Sequence, residues 1–351
     1  RNKKDANGKF IGDENGIPIK KPGIFKHCKA VGWYLEEYGL AQISINLTNI
    51  NITSPHKVFE ECRIQARKRG VRITGSEIVG MIPLESILNA GKYYLKKQKR
   101  STGLPENDII NIAMISLGLD DLSPFSSKDK IIEYAMNAKT KKLASMNIDS
   151  FCDELSSSSP APGGGSVSAL SGSLAASLTA MVSNLTIGKK KWESVYDEMC
   201  DISEKGQNLK QELLYLIDED TNAFNNLLKA YKLPKTTKEE NNHRNKIIKK
   251  SMKIASNIPF KTLEYCCQVI EIAKLVTNKG NSNSITDAGV AGEMANAGAH
   301  GAALNVLINL KEINDRHFCN NLTKKTNNLL KKANKNIYSI RRLVNKNISN
   351  A

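Results

Sequence analysis

Aromatic and histidine side chains are scarce in this chain: Phe, Trp and Tyr make up 6% of its 351 residues, and there are five histidines. The histidines are widely separated, so a histidine-based metal site has no local support, and no metal is expected. Few aromatics interleave the basic runs Lys189-Lys190-Lys191, Lys249-Lys250 and Lys324-Lys325, which leaves nucleic-acid bases without a stacking platform. The seven cysteines contain no C-x-x-C pair, and the adjacent Cys266-Cys267 suit neither a mutual disulfide nor a zinc corner. That is the pattern of reduced thiols buried as small apolar residues in a cytosolic protein. No stretch approaches the uninterrupted apolar length of a membrane span. A Walker-type phosphate loop, a Rossmann glycine pattern, a zincin sequence and a nucleophile elbow are all missing, which argues against nucleotide hydrolysis and dinucleotide redox chemistry. Ser166 has no histidine partner apparent in the sequence, so a serine nucleophile is disfavoured.

What is present starts with charge. The formal net charge is +16, but the lysines and arginines are scattered, and solvated helix faces explain them better than a nucleic-acid surface. A narrower use is to attract an anionic, polycarboxylate substrate. With 40% hydrophobic and 25% charged residues, the composition is that of a globular protein long enough for two domains. The start, Arg1-Asn2-Lys3-Lys4-Asp5, has neither a methionine nor a signal-peptide region, as expected of a fragment of a longer chain.

Strand and helix signals alternate in the first part. Leu40–Leu47 alternates with period two, placing Ile43, Ile45 and Leu47 on one side. Ser54-Pro55 opens a helix to about Arg69, with Val58, Cys62 and Ala66 on one face, and Gly70 ends it. Val71-Arg72-Ile73-Thr74 then reads as a second strand, giving a strand–helix–strand unit suited to parallel pairing. Further helices are expected from Pro83-Leu84 and over 105–117. The apolar periodicity lapses near Met136-Asn137-Ala138-Lys139-Thr140-Lys141-Lys142, and helical periodicity alone follows. The expected fold class is therefore multidomain α+β/α: a small α/β subdomain over residues 1–136, a linker over 137–146, and an all-α bundle over 147–351. In the bundle, Val167, Leu170, Leu174, Leu178, Met181 and Leu185 form a stripe in steps of three and four.

Three segments could carry chemistry. Pro162-Gly163-Gly164-Gly165-Ser166 opens a small-residue helix, exposing backbone N–H groups at a positive dipole end where an anion or ring edge could bind. Second, the stripe Leu213, Ile217, Phe224, Leu228 is interrupted at Asp220. A carboxylate facing a core has its pKa raised towards that of a useful general base, unless the helix is rotated to keep it wet. Asp218 lies on a neighbouring face, beside Leu214. Third, Gly280-Asn281 leads to Ser284 and Asp287, which have capping-box spacing, and to an Ala/Gly-rich helix bearing His300, Asn305 and Asn309. Asn305 and Asn309, one turn apart, suit a buried ligand or each other.

In order, Pro162–Ser166, Asp218-Glu219-Asp220 with Ala223-Phe224, Gly280-Asn281 with Thr286-Asp287, and Asn305–Leu310 resemble the formiminotetrahydrofolate cyclodeaminase domain. Upstream, Val31–Tyr34, Ala41–Asn49, Gly75–Gly80 and Ile131–Tyr134 resemble the C-terminal subdomain of glutamate formiminotransferase. The likeness covers nearly the whole chain and points to the formiminotransferase-cyclodeaminase family. It implies a folate enzyme of histidine degradation that converts 5-formiminotetrahydrofolate to 5,10-methenyltetrahydrofolate and ammonia. Tetrahydrofolate, as its polyglutamate, would be substrate and carrier, with formiminoglutamate the source of the one-carbon unit. Asp220 matches the family's catalytic aspartate, and Asp218 and Asp287 are candidate supporting residues. Gly163, Gly164, Gly165, Ser166, Asn281 and Asn305 are candidate folate contacts. The Lys21-Pro22-Gly23 turn resembles part of the transferase folate site, which adds Pro22 and Gly23. The resemblance also implies a ring-like homo-oligomer in the cytoplasm, with Golgi or centrosome association allowed. The transferase N-terminal subdomain, with its catalytic histidine, is expected before Arg1, so no histidine here is given that role. His300 stands where the family places an apolar or aromatic residue. Two other readings stay open: a methenyltetrahydrofolate cyclohydrolase, and a non-enzymatic basic helical scaffold.

Overall fold

The computed structural model of the chain describes residues 3–20, 22–37, 39–136 and 143–349. The expected linker falls largely on residues 137–142, which lie outside the described residues, as does Lys21. The fold divides into two compact units, Arg1–Tyr94 with Glu106–Ala138, and Leu95–Pro105 with Lys139–Ala351.

In the first unit, strands β1 (Cys28–Leu35) and β2 (Leu40–Leu47) form an antiparallel hairpin in register from Cys28↔Leu47 to Leu35↔Leu40. The expected strand at 40–47 is present, but Ile43 is half exposed and only Ile45 and Leu47 turn partly inward. Val71–Thr74 is not a strand, and the expected parallel strand–helix–strand unit does not form. Residues 28–35 instead pair with β2 across a tight turn, which closes an antiparallel ladder at low entropic cost, and the other edge of β2 takes no strand among the described residues. Helix α1 (Pro55–Arg67) buries Val58 and Ala66 and ends before Gly70, whose φ of 72° suits a residue without a Cβ. Helices α2 (Leu84–Lys97) and α3 (Glu106–Leu117) stand where expected, followed by the short α4 (Ser127–Lys130) and α5 (Ile132–Met136). Ile87, Ala90, Ile110, Ala113, Leu117 and Ile131 form this unit's core.

The second unit is helical, with α6 (Ile148–Ser156), α7 (Gly164–Thr186), α8 (Tyr196–Tyr231), α9 (Lys238–Lys279), α10 (Ile285–Leu310) and α11 (Arg316–Ser349). Helices α7 to α10 pack against one another, and α11 lies on α9 and α10. The large-residue stripe of α7 is its outer face: Val167, Leu174 and Leu185 are exposed, and Leu178 and Met181 only partly covered. The inward face carries Ala169, Gly172, Ser173, Ala176, Ala180 and Ser183. Small side chains win the interior because they let backbones approach closely. A Cβ on Gly172 would sit 2.6 Å from Cys266 Sγ, and one on Gly298 of α10 would sit 2.8 Å from the Ser168 carbonyl. Buried hydroxyls on this face stay satisfied by bonding back along the helix, as Thr179 Oγ1 does to the Ala175 carbonyl at 2.9 Å. By length and composition α7 could also cross a membrane, contrary to expectation, but 61% of that window is buried inside the bundle.

This arrangement of faces is testable by chemical denaturation. Gly172→Val should overpack the α7–α9 contact and cost about 1–3 kcal/mol. Leu174→Ala, on the exposed stripe, should change stability by less than about 1 kcal/mol.

Candidate active site at the start of helix α7

Helix α7 begins without a cap of its own. Its N-cap is Gly163, which has no side chain, and the next residues are Gly164, Gly165 and Ser166. The backbone N–H groups of a first helical turn have no intrahelical acceptor and need one from elsewhere. It comes from the neighbouring helix: the Asp220 carboxylate of α8 lies against the first turn of α7 and accepts a hydrogen bond from the Ser166 N–H. A Cβ on Gly165 would overlap that carboxylate, so glycine is required there to admit it. The glycine turn therefore presents the Ser166 N–H to a side chain of this chain.

The Ser166 hydroxyl completes the contact. Its Oγ donates to the Ile217 carbonyl at 2.9 Å and lies 3.4 Å from Asp220 Oδ2 and 3.4 Å from Thr221 Oγ1. Thr221 was not singled out from the sequence, although its place beside Asp220 was a usable signal. Burial raises the Asp220 pKa above the ordinary aspartate value, and the hydrogen bonds from the Ser166 hydroxyl and N–H pull it partly back. Among the described residues, no neighbouring charge contributes. A desolvated carboxyl held by two donors, with no cation to fix it as an anion, is chemically a proton acceptor.

The other candidate residues divide into three groups. Asn305 belongs with the site: a Cβ on Gly164 would lie 3.3 Å from its Nδ2, which donates to the Gly301 carbonyl at 2.9 Å. Asn309 instead donates to Ala255 O at 2.8 Å, so the two asparagines do not pair. Asp218 faces elsewhere: its Oδ1 accepts from the Leu143 N–H at 2.8 Å and its Oδ2 from the Ala144 N–H at 3.4 Å, which ties down the segment leading to α6.

Asn281 and Asp287 lie at the opposite end of the bundle. The Asn281 N–H donates to Thr186 Oγ1 at 2.8 Å, at the last residue of α7, about 30 Å along that helix from Ser166. Asn281 is buried, with its side chain joined to the Leu185 carbonyl and the Asn283 N–H. The capping box expected from Ser284 and Asp287 does not form, because a 3₁₀ turn over Ser282–Ser284 precedes α10 and the Ser284 side chain makes no cap bond. A true capping box opens α9, between Thr237 and Glu240. His300 is exposed on α10 and meets Asn334. Pro22 and Gly23 are exposed residues of the first unit, just before the hairpin. Among the described residues, no group of three or more His, Cys, Asp or Glu side chains could hold a metal ion. Asp220 lines neither of two surface clefts. One, of about 540 Å³, is beside Asn107, Asn111 and Tyr134, and the other, of about 290 Å³, is beside Met181, Asn184 and Lys210.

The raised Asp220 pKa has a sign that can be checked. Ionising Asp220 costs folding free energy, so its contribution is full below the ordinary aspartate pKa and is lost as pH rises through the higher folded-state value. Asn caps helices about as well as Asp and cannot ionise. Asp220→Asn should therefore fold normally, and its melting temperature relative to the parent should increase as pH rises from acid to neutral. A gap that shrinks over this range would mean the carboxyl is stabilised as an anion.

Comparison with known proteins places these observations in a family. A family model described as formiminotransferase-cyclodeaminase matches residues 147–328, and one described as formiminotransferase domain matches residues 9–137. The formimidoyltransferase-cyclodeaminase of Mus musculus is 35% identical over 322 residues, covering 91% of this chain and 59% of the relative. The chain thus spans about three-fifths of that relative's length. A methenyltetrahydrofolate cyclohydrolase of Methylorubrum extorquens is 43% identical over 186 residues, 53% of this chain and 89% of that protein. The crystal structure of a formiminotetrahydrofolate cyclodeaminase from Thermotoga maritima matches with a TM-score of 0.54 and 26% identity, covering 59% of this chain and all of that one.

Proposed function

The chain belongs to the formiminotransferase-cyclodeaminase family, and from that premise we propose that its helical unit closes 5-formiminotetrahydrofolate to 5,10-methenyltetrahydrofolate with release of ammonia. One observation carries the reading: among the described residues, the one side-chain carboxyl whose pKa burial raises without a charged partner lies against the start of α7, among residues the family resemblance names.

The reaction makes simple demands. N10 of the folate attacks the carbon of the protonated formimino group on N5, forming the N10–C bond while the C=N π pair moves to nitrogen, which leaves a tetrahedral centre bearing an NH2 group and a cationic N10. Asp220 takes the proton from N10 and returns it to that nitrogen, the C–N bond breaks, and ammonia leaves. The electron pairs on N5 and N10 then share the resulting positive charge. The Asp220 carboxylate, ionised again, lies close to that cation and favours it electrostatically. Holding N10 in an attack geometry supplies much of the remaining acceleration. Asn305, whose side chain lies beside Gly164, would contact the bound folate. The basic surface suits an anionic polyglutamate tail.

The first unit, with its match to the formiminotransferase domain, supports a second, partial role in moving the formimino group from formiminoglutamate to tetrahydrofolate. The wider reading is a cytoplasmic homo-oligomer of histidine degradation. Seven free cysteines support the compartment, and exposed Leu174 and Leu185 on α7 with Leu304 and Ile308 on α10 support association. The similarity to a methenyltetrahydrofolate cyclohydrolase favours one alternative, in which the same carboxyl activates water against the methenyl carbon.

Assaying the purified chain with both folates separates the two. Ammonia release from 5-formiminotetrahydrofolate should exceed hydrolysis of the methenyl compound, and Asp220→Asn should lower cyclisation by about 10²–10⁴-fold. Near-parental cyclisation by that variant would remove Asp220 from the chemistry.

A further inference from the structure

Resting on the proposed reaction, we infer that Ser166 is a positioning residue whose single hydroxyl serves both protonation states of Asp220 and so keeps the base in place through its proton cycle. The residue is fully buried, which keeps it from contacting a bound folate in this conformation and leaves Asp220 as the route through which it acts. It was a candidate folate contact from the sequence, and the structure places it behind the carboxylate.

The argument follows the hydroxyl's three neighbours. A serine hydroxyl has one proton to give and two lone pairs that accept. When Asp220 is neutral, its O–H can donate to Ser166 Oγ while the serine proton stays on the Ile217 carbonyl, 2.9 Å away. When Asp220 gives up its proton, the serine hydroxyl can rotate and donate to Oδ2. The Ile217 carbonyl does not become an orphan, because within α8 it also accepts the helical N–H four residues on. Thr221 Oγ1, 3.4 Å from Ser166 Oγ, can then donate to the lone pair the carboxyl has released. No atom moves by more than a rotation about the Cβ–Oγ bond, and neither state leaves a buried polar group unpaired. The Ser166 N–H meanwhile holds the carboxylate in both states.

Few other groups can interfere. Helix α7 has no ionisable side chain. On α8, Asp218 is held by the Leu143 and Ala144 amides and Glu219 by Asn222. Nearby on α6 are Asp149, Cys152, Asp153 and Glu154. On α9, Lys253 pairs with Asp315 and Lys261 with Glu212. On α10, His300 bonds Asn334, Glu293 pairs with Arg341, and Asp287 is at the far end. None of these charges perturbs the Asp220 carboxyl.

The test follows the Asp220 carboxyl by carbon-13 NMR across a pH titration of the whole chain, using Asp220→Asn to assign the signal. The same variants are run through the pH dependence of cyclisation. Ser166→Ala should move the titration midpoint up by about 0.5–1 pH unit, because a donor to the anion is lost. The acid limb of kcat should move with it, with kcat down about tenfold and KM within about twofold. Ser166→Thr, which keeps the hydroxyl, should restore both. An unmoved midpoint in a folded Ser166→Ala protein overturns the inference. So does a raised KM with an unchanged pH profile, which would put Ser166 on the substrate. Because the NMR titration needs no turnover, the inference can fail while Asp220 remains the base. Equally, an active Asp220→Asn variant would sink the proposed reaction whatever Ser166 does.

Discussion

The structure of the site depends on one contact, a carboxylate from α8 set against the uncapped first turn of α7. Helix N-termini favour negative charge because their N–H groups are unpaired and the backbone dipoles align behind them. Here the acid comes from a different helix, so the same contact fixes how α7 and α8 register at this end of the bundle. Burial works against the anion while the helix end and the Ser166 donors work for it, and burial wins. That imbalance separates a structural cap from a base. A cap held at full anionic strength would be too weak a base for the proton transfer proposed above.

The close approach that makes this possible extends along the whole of α7. Gly165 admits the carboxylate, Gly172 admits Cys266 and Leu213, and Gly298 of α10 fits against Ser168 and Gly172. Each glycine lacks a side chain where another element comes within van der Waals distance of the backbone. Small residues bury less apolar area per position than leucine. The compensation is dense, backbone-level packing, which resists displacement and so holds a buried acid in one place.

Much of this was legible in the sequence. The Asp220 position showed because a charged residue broke a stripe whose neighbours Leu213 and Ile217 are indeed buried. The glycine turn showed because Pro-Gly-Gly-Gly before an apolar run is a helix start. Two things were hidden, for one reason. Periodicity identifies a helix and its faces but not which face meets a neighbour, so the leucine stripe of α7 is visible in the sequence while the tighter packing of its alanine, serine and glycine face is not. Likewise, Val71–Thr74 has the composition of a strand, but a strand exists only where it pairs, and this segment pairs with neither strand of the two-stranded sheet.

Asn281 and Asp287 carry the more general lesson. They follow Asp220 in an ordered series of motifs, and shared motif membership suggested a shared pocket. The antiparallel run of α7 against α10 separates them instead: Gly164 meets Asn305 at one end, and Thr186 meets Asn281 at the other. The Asn281 side chain and backbone are committed to closing the corner between α9 and α10 and anchoring it to the end of α7. A corner of that kind fixes the axial position of α10, and with it the height at which Asn305 stands beside the start of α7. A residue at the far end can thus influence the start of α7 through helix register alone.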